Sequence, residues 1–184
     1  MEATRILMDE HRVIERVLGA LEAAAARMSS GASVRVEFFL QTADFIAGFA
    51  DGCHHRKEEG VLFPALEAAG IPRAGGPVGV MLAEHEEARA ITRGLREAAE
   101  RLVKGDPTAA TEARRNALDY AALLRQHIMK EDNVLFPMAD RAIQGRELVV
   151  VTAEFARLQR EETADGVQAK YRALAEELER AARG

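Results

Sequence analysis

The sequence predicts an all-α domain, and three observations predict it. Ala, Leu, Glu and Arg, residues with high intrinsic helix propensity, are abundant, whereas Thr and Ser are few. Apolar residues recur at steps of three and four, the spacing that gathers them on one helix face. Clusters of Gly, Pro and Ser cut the periodic stretches into separate segments. At 184 residues, 48% apolar and 30% charged, the chain suits one domain with a sizeable buried core.

The first helix is expected from about Glu2 to Met28, with Leu7, Ile14, Leu18 and Leu21 forming a stripe that position 11 completes. Ser29-Ser30-Gly31 breaks it. A second starts near Ser33 and runs through Phe38, Phe45 and Phe49 to Phe63-Pro64, ending near Ala69-Gly70; Gly48, Gly52 and Gly60 weaken its regularity. The stretch from Ile71 to Pro77 holds two Pro and two Gly and reads as a connection. Pro77 suits the first turn of the third helix, where its missing N–H costs nothing. That helix runs to about Lys104, and Gly105-Asp106-Pro107 separates it from a fourth, expected from Pro107 to Ile143 with Leu118, Leu123, Leu124 and Ile128 on its stripe. Beyond Gly145 the positions Val151, Phe155, Leu158, Val167, Tyr171, Leu174 and Leu178 continue the period around Asp165-Gly166. The expected division is a four-helix unit over 1–144 and a C-terminal helical extension over 145–184, packed on the bundle or at a homodimer interface.

Charge and cysteine content narrow the partners. A net charge of −5 argues against nucleic acid, which selects a basic face. The single Cys53 cannot make an internal bridge and suits a reducing compartment. No uncharged stretch approaches the roughly 20 residues that span a bilayer, and the N-terminal residues lack the pattern of a signal peptide. A soluble cytoplasmic protein with no membrane contact is expected.

An internal repeat places the histidines. His54-His55-Arg56-Lys57-Glu58-Glu59-Gly60-Val61-Leu62-Phe63-Pro64 aligns with His127-Ile128-Met129-Lys130-Glu131-Asp132-Asn133-Val134-Leu135-Phe136-Pro137, with seven of eleven pairs identical. Helices one and three echo each other in Leu7-Met8-Asp9-Glu10-His11 and Met81-Leu82-Ala83-Glu84-His85. The offsets, 73 and 74 residues, agree, so four of the five histidines occupy matching places in two helix pairs, as in a pseudo-twofold four-helix bundle. His54 and Glu58, like His127 and Glu131, are one turn apart on one face. Two carboxylates turned into an apolar interior with several imidazoles demand a cation. Imidazole and carboxylate suit iron, manganese or zinc rather than copper(I) or calcium. A carboxylate bridges two metals where imidazole binds one, so two Glu and at least four His describe a dinuclear site with coordination positions left for a small molecule.

These residues resemble the hemerythrin-like (HHE cation-binding) domain family: His11 in helix one, His54-x-x-x-Glu58 in helix two, His85 in helix three and His127-x-x-x-Glu131 in helix four, over about residues 4 to 140. The resemblance implies an up-down-up-down bundle around a non-haem centre of two iron ions, with Glu58 and Glu131 bridging and the histidines terminal; manganese or zinc are alternatives. The Glu-x-x-His order of ferritin-like carboxylate proteins is absent. Oxygen-carrying hemerythrins have a second His one turn after the helix-three ligand, where this chain has Arg89, and their helix-four pair is one residue wider and ends in Asp. His55 is the candidate replacement ligand.

Other residues carry weaker signals. Glu59 and Asp132, paired in the repeat, are expected to accept the outer N–H of a ligand or to be solvated. Tyr120, two turns before His127 on the same face, is read as a packing residue within reach of the centre. The phenylalanines read as core, Cys53 as a buried small residue, and Arg5, Arg12 and Arg16 as solvated, helix-pairing charges. The function expected is binding of oxygen, nitric oxide or peroxide for sensing, storage or scavenging. A di-iron oxidoreductase, a peroxidase or nitric-oxide reductase, is the second reading; a structural or regulatory metal-binding module is the third and would need a closed coordination sphere.

Overall fold

The computed structural model describes residues 1–183, so the last residue of the extension lies outside the described residues. Among the described residues six helices are present: α1 Glu2–Ser29, α2 over 36–68, α3 Pro77–Val103, α4 over 109–142, α5 Gly145–Ala164 and α6 Val167–Arg183. The period-based boundaries agree with these to within a few residues. Gly31, Gly105 and Gly166 take the positive φ that closes a helix. Leu118 is exposed rather than on the buried stripe of α4.

Two apolar cores lie at opposite ends of the first four helices, and the order in which each helix visits them fixes the topology. One core holds Leu7, Leu62, Phe63, Leu66, Met81 and Phe136; the other holds Ile14, Leu18, Phe38, Phe49, Leu95 and Leu124. Along α1 and α3 the first core comes first in sequence, and along α2 and α4 it comes last. The helices therefore alternate in direction, up-down-up-down. Each buried Leu or Phe contributes about 1.5–3 kcal/mol relative to exposure. Between the two cores, at positions 10–11, 54–58, 85 and 127–131, all four helices turn polar groups inward. This layer is where the site forms.

Helix α6 lies against α1 and α2, placing Ala175, Leu178 and Ala182 in the larger core, while α5 packs on α1 and on the second half of α2. Gly48 makes this docking feasible: a Cβ there would fall 1.7 Å from Tyr171 Oη of α6. Among the described residues no helix is long and apolar enough to cross a membrane.

The departures from regular α-helix matter most. Residues Ile46–His55, Glu58–Leu62 and Glu131–Leu135 are π-helical. The latter two have one cause, the repeated Phe-Pro. Pro64 and Pro137 have no N–H to give and crowd the carbonyl four residues back, and the turn before each widens so that Phe63 N–H bonds Glu58 O and Phe136 N–H bonds Glu131 O. Neither proline ends its helix, since α2 continues to Ala68 and α4 to Ala142.

Candidate metal centre

His11, His54, His55, Glu58, His85, His127 and Glu131 are all buried in the polar layer. They fall into two groups. His11, His54, Glu58 and Glu131 each offer a ligand atom within 4.8 Å of the others, and so do His55, Glu58, His85 and His127. Glu58 belongs to both and is placed to bridge. The neighbours His54 and His55, at the end of the π-helical segment Ile46–His55, are both buried. His55 stacks on His85 at 3.7 Å between ring centroids. Phe136 stacks on His11 and Phe63 on His85, so the repeated Phe-Pro also walls the layer.

Every one of the five imidazoles bonds a carboxylate through Nδ1: His11 to Asp132 at 2.7 Å, His54 to Glu10 at 3.2 Å, His55 to Asp51 at 3.3 Å, His85 to Glu59 at 2.7 Å and His127 to Glu84 at 2.8 Å. A carboxylate oxygen accepts, so each Nδ1 carries the proton and each Nε2 of a neutral ring presents a lone pair. His11 Nε2 faces His54 Nε2 at 3.0 Å, and His85 Nε2 faces His127 Nε2 at 3.1 Å. Between them lie Glu58 and Glu131, whose four buried carboxylate oxygens have no hydrogen-bond partner, and the unpartnered Nε2 of His55. Converging lone pairs and orphaned carboxylates repel one another unless cations lie among them. The residues present therefore fit a pair of metal ions.

The electrostatics agree. Burial, then the adjacent Glu131 carboxylate, pushes Glu58 well above the usual carboxylate range. Burial opposes ionisation of Glu131 too, but His127 and His11 prevail and hold it well below. Burial keeps His54 and His85 below the ordinary histidine value and drives His55 down to about 3, so these rings are neutral donors near neutral pH. At His127 the Glu131 and Glu84 carboxylates overcome burial and raise it to about 9.

Behind each carboxylate stands a cation. Arg12 pairs with Asp132, Lys57 Nζ donates to Glu10 at 2.8 Å, Lys130 pairs with Glu84, and Arg89 reaches Asp51 at 2.6 Å and Glu59 at 2.8 Å. Arg89, at the place of a second helix-three ligand, thus holds the partners of His55 and His85 instead of a metal. Arg12 and Arg16 are not merely solvated: Arg12 supports the His11 partner, and Arg16 bonds Glu179 of α6. Arg5 pairs with Glu2 on its own helix. Glu59 and Asp132 take the outer N–H positions that the repeat suggested. Sequence reading missed Glu10, Asp51, Glu84 and Lys57. A signal existed for three of them, since Glu10 and Glu84 immediately precede the matched histidines and Lys57 matches Lys130 in the repeat.

Tyr120 is buried, with no hydrogen-bond partner for Oη. It lines a cavity of about 230 Å³ together with Asp51, His55, Ala88, Arg89 and Thr92. Cys53 is buried and points away from the layer, donating to Gly48 O at 3.2 Å; burial raises its thiol to about 11.

The comparisons with known proteins bear on this layer. An uncharacterized protein of Mycobacterium tuberculosis (strain ATCC 25618 / H37Rv) is 26% identical over 131 residues, covering 71% of this chain and 51% of that protein. The iron-sulfur cluster repair proteins YtfE of Salmonella newport (strain SL254) and Salmonella agona (strain SL483) are 36% identical over 89 residues, 47% of this chain and 40% of each relative. The chain thus spans about half the length of the curated relatives it matches or less. No solved structure matches it significantly. The Hemerythrin HHE cation binding domain model matches residues 2–139, which include all seven inward-facing His and Glu, and the chain belongs to that family.

Proposed function

We propose that this chain holds a carboxylate-bridged pair of iron ions and uses it to bind dioxygen, nitric oxide or peroxide for sensing, storage or scavenging. The observation that carries this reading is the pair of donor groups sharing Glu58, with two imidazoles in one and three in the other. Five imidazoles and two carboxylates are too few to close two six-coordinate spheres, which argues against a purely structural role. The similarity to proteins named for iron-sulfur cluster repair supports iron as the metal. When bound, such ions supply a redox-active, Lewis-acidic pair.

The chain's own part is to orient and to shield. Five imidazole–carboxylate bonds fix ring orientation and tautomer. Phe63 and Phe136 exclude water on the ring faces of His85 and His11. The cavity against His55 offers a place beside the layer for a diatomic molecule or peroxide, and Tyr120 Oη is a hydrogen-bond donor on its wall. That unused donor also favours the second reading, an oxidoreductase in which Tyr120 passes a proton to the bound molecule.

Metal analysis and optical spectra of protein purified without air test the proposal. About two irons per chain and an absorption band that appears on adding oxygen or nitric oxide are expected. One zinc per chain with no spectral response overturns it. Repeated peroxide turnover that is lost in Tyr120→Phe, with metal content unchanged, selects the oxidoreductase.

A further inference from the structure

Lys57 and Lys130 are equivalent in the repeat and make equivalent bonds. Lys57 donates to Glu10, the partner of His54; Lys130 pairs with Glu84, the partner of His127. Their surroundings differ. The Lys130 side chain is 33% exposed, whereas that of Lys57 is 0% exposed, the only fully buried cation behind an imidazole–carboxylate pair among the described residues. What covers it is the hairpin of α5 and α6. Glu162 of α5 comes within 2.6 Å of Lys57 Nζ, and Gln168 of α6 donates to both Glu162 at 2.7 Å and Glu10 at 3.1 Å. Lys57 Nζ also donates to Cys53 O at 3.3 Å. Residues 145–183 lie beyond the stretch matched by the family model, which ends at 139.

We infer that Glu162 and Gln168 are positioning residues for the metal centre, acting through Lys57 and Glu10 on His54. The physical argument is a division of one charge. An ammonium bonded only to Glu10 would draw that carboxylate's charge away from His54, as Lys130 does to Glu84. Shared with Glu162 in a dry setting, Lys57 leaves Glu10 a stronger acceptor for His54 Nδ1–H, and Gln168 holds Glu10 from a third direction. A firmer outer acceptor makes His54 Nε2 a better metal donor and fixes its aim. The extension therefore tunes one ion, that of His11 and His54, and leaves the His55, His85 and His127 ion alone. Bringing a buried lysine and two carboxylates together costs desolvation that an apolar contact would avoid, which is further reason to look beyond packing for their role.

This inference rests on the two-metal reading, and one titration separates the two. Metal-free full-length protein is titrated with cobalt(II), following the optical spectrum. Wild type should show two binding steps per chain; fewer overturns the two-metal reading itself. In Glu162→Ala one step should weaken by about tenfold, the low end for lost outer partners, while the other stays in place. In a His54→Ala background Glu162→Ala should add no further loss, and in a His85→Ala background it should retain its effect. Glu162→Gln, which keeps an acceptor for Lys57 without the charge, should recover part of the affinity. Equal weakening of both steps, no weakening, or the same added loss in both backgrounds overturns the inference. If Glu162→Ala does not fold, Gln168→Ala is read against the same outcomes with a smaller shift.

Discussion

The two metal positions are built from one repeat, yet they are not copies. His54, Glu10 and Lys57 on one side correspond to His127, Glu84 and Lys130 on the other, and Glu58 corresponds to Glu131. The difference enters at position 55. The residue matched to His55 is Ile128, equally buried but apolar, so it packs in the core where His55 offers a ring nitrogen. One substitution between the halves thus gives a third imidazole to one group and leaves the other with two. A symmetric sequence repeat supplies the shared frame, and the difference between His55 and Ile128 makes the two positions inequivalent.

Removing the metals altogether should have the largest effect on both positions. Without cations the layer must bury Glu58 and Glu131 among facing Nε2 atoms, taking up protons where the metals would lie. A ligand at 1,000 times its dissociation constant stabilises the folded state by about 4 kcal/mol. At about 2–4 °C per kcal/mol for a chain of this size, exhaustive chelation should lower Tm by roughly 10 °C. An unchanged melting curve after verified metal loss would contradict the cation-filled layer.

The asymmetry itself can be erased. His55→Ile copies the other half of the repeat and should reduce metal content from two ions per chain to one, leaving the His11 and His54 group loaded. Retention of both ions would show that His55 is only a neighbour of His85.

Proton linkage bears on both groups, since Glu58 belongs to each. In metal-free protein Glu58 stays protonated well above the usual carboxylate range and His127 holds its proton up to about 9. Both must shed protons to ligate, so metal uptake at neutral pH releases protons and affinity rises with pH. Each linked proton makes a one-unit drop in pH weaken binding up to about tenfold. Zinc titrations between about pH 6 and 8 that show no pH dependence would refute this.

How much of this was legible in the sequence follows from what produces a periodic signal. Helix faces, breaks and the matched His-x-x-x-Glu turns depend on spacing, so α1 to α4 and the seven inward residues could be read from Leu7, Phe38, His54 and their kin. Asp51 could not be placed, and the repeat marked Lys57 without showing its burial, since their partners Arg89 and Glu162 lie on other helices and burial of a lysine depends on what docks over it. The π-helical winding was hidden too, although Gly48 and Gly52 marked the place. Gly48 lets α6 approach, and a Cβ on Gly52 would meet Ala47 O at 3.0 Å.

The outer cations give the smaller contrasts. Arg89→Met removes the group that holds both Asp51 and Glu59 against their imidazoles; the lost aim outweighs the charge those carboxylates regain, and the three-imidazole ion should weaken by about tenfold. Competitive chelator titration measures it, and an effect confined to the other ion would be the contrary result. Arg12→Met touches only Asp132, behind His11. The Arg12 side chain is 54% exposed against 25% for Arg89, and it is also drawn to Glu15 at 2.8 Å. Water and salt screen so exposed a charge, and such pairs contribute about 1 kcal/mol at most. A loss of a few-fold is therefore expected at the two-imidazole ion. High salt should mimic part of it in wild type, because screening removes the same interaction, and should add little in the variant. If Arg12→Met instead matched Arg89→Met, exposure would not be what grades these cations, and the dry setting of Lys57 would lose its meaning.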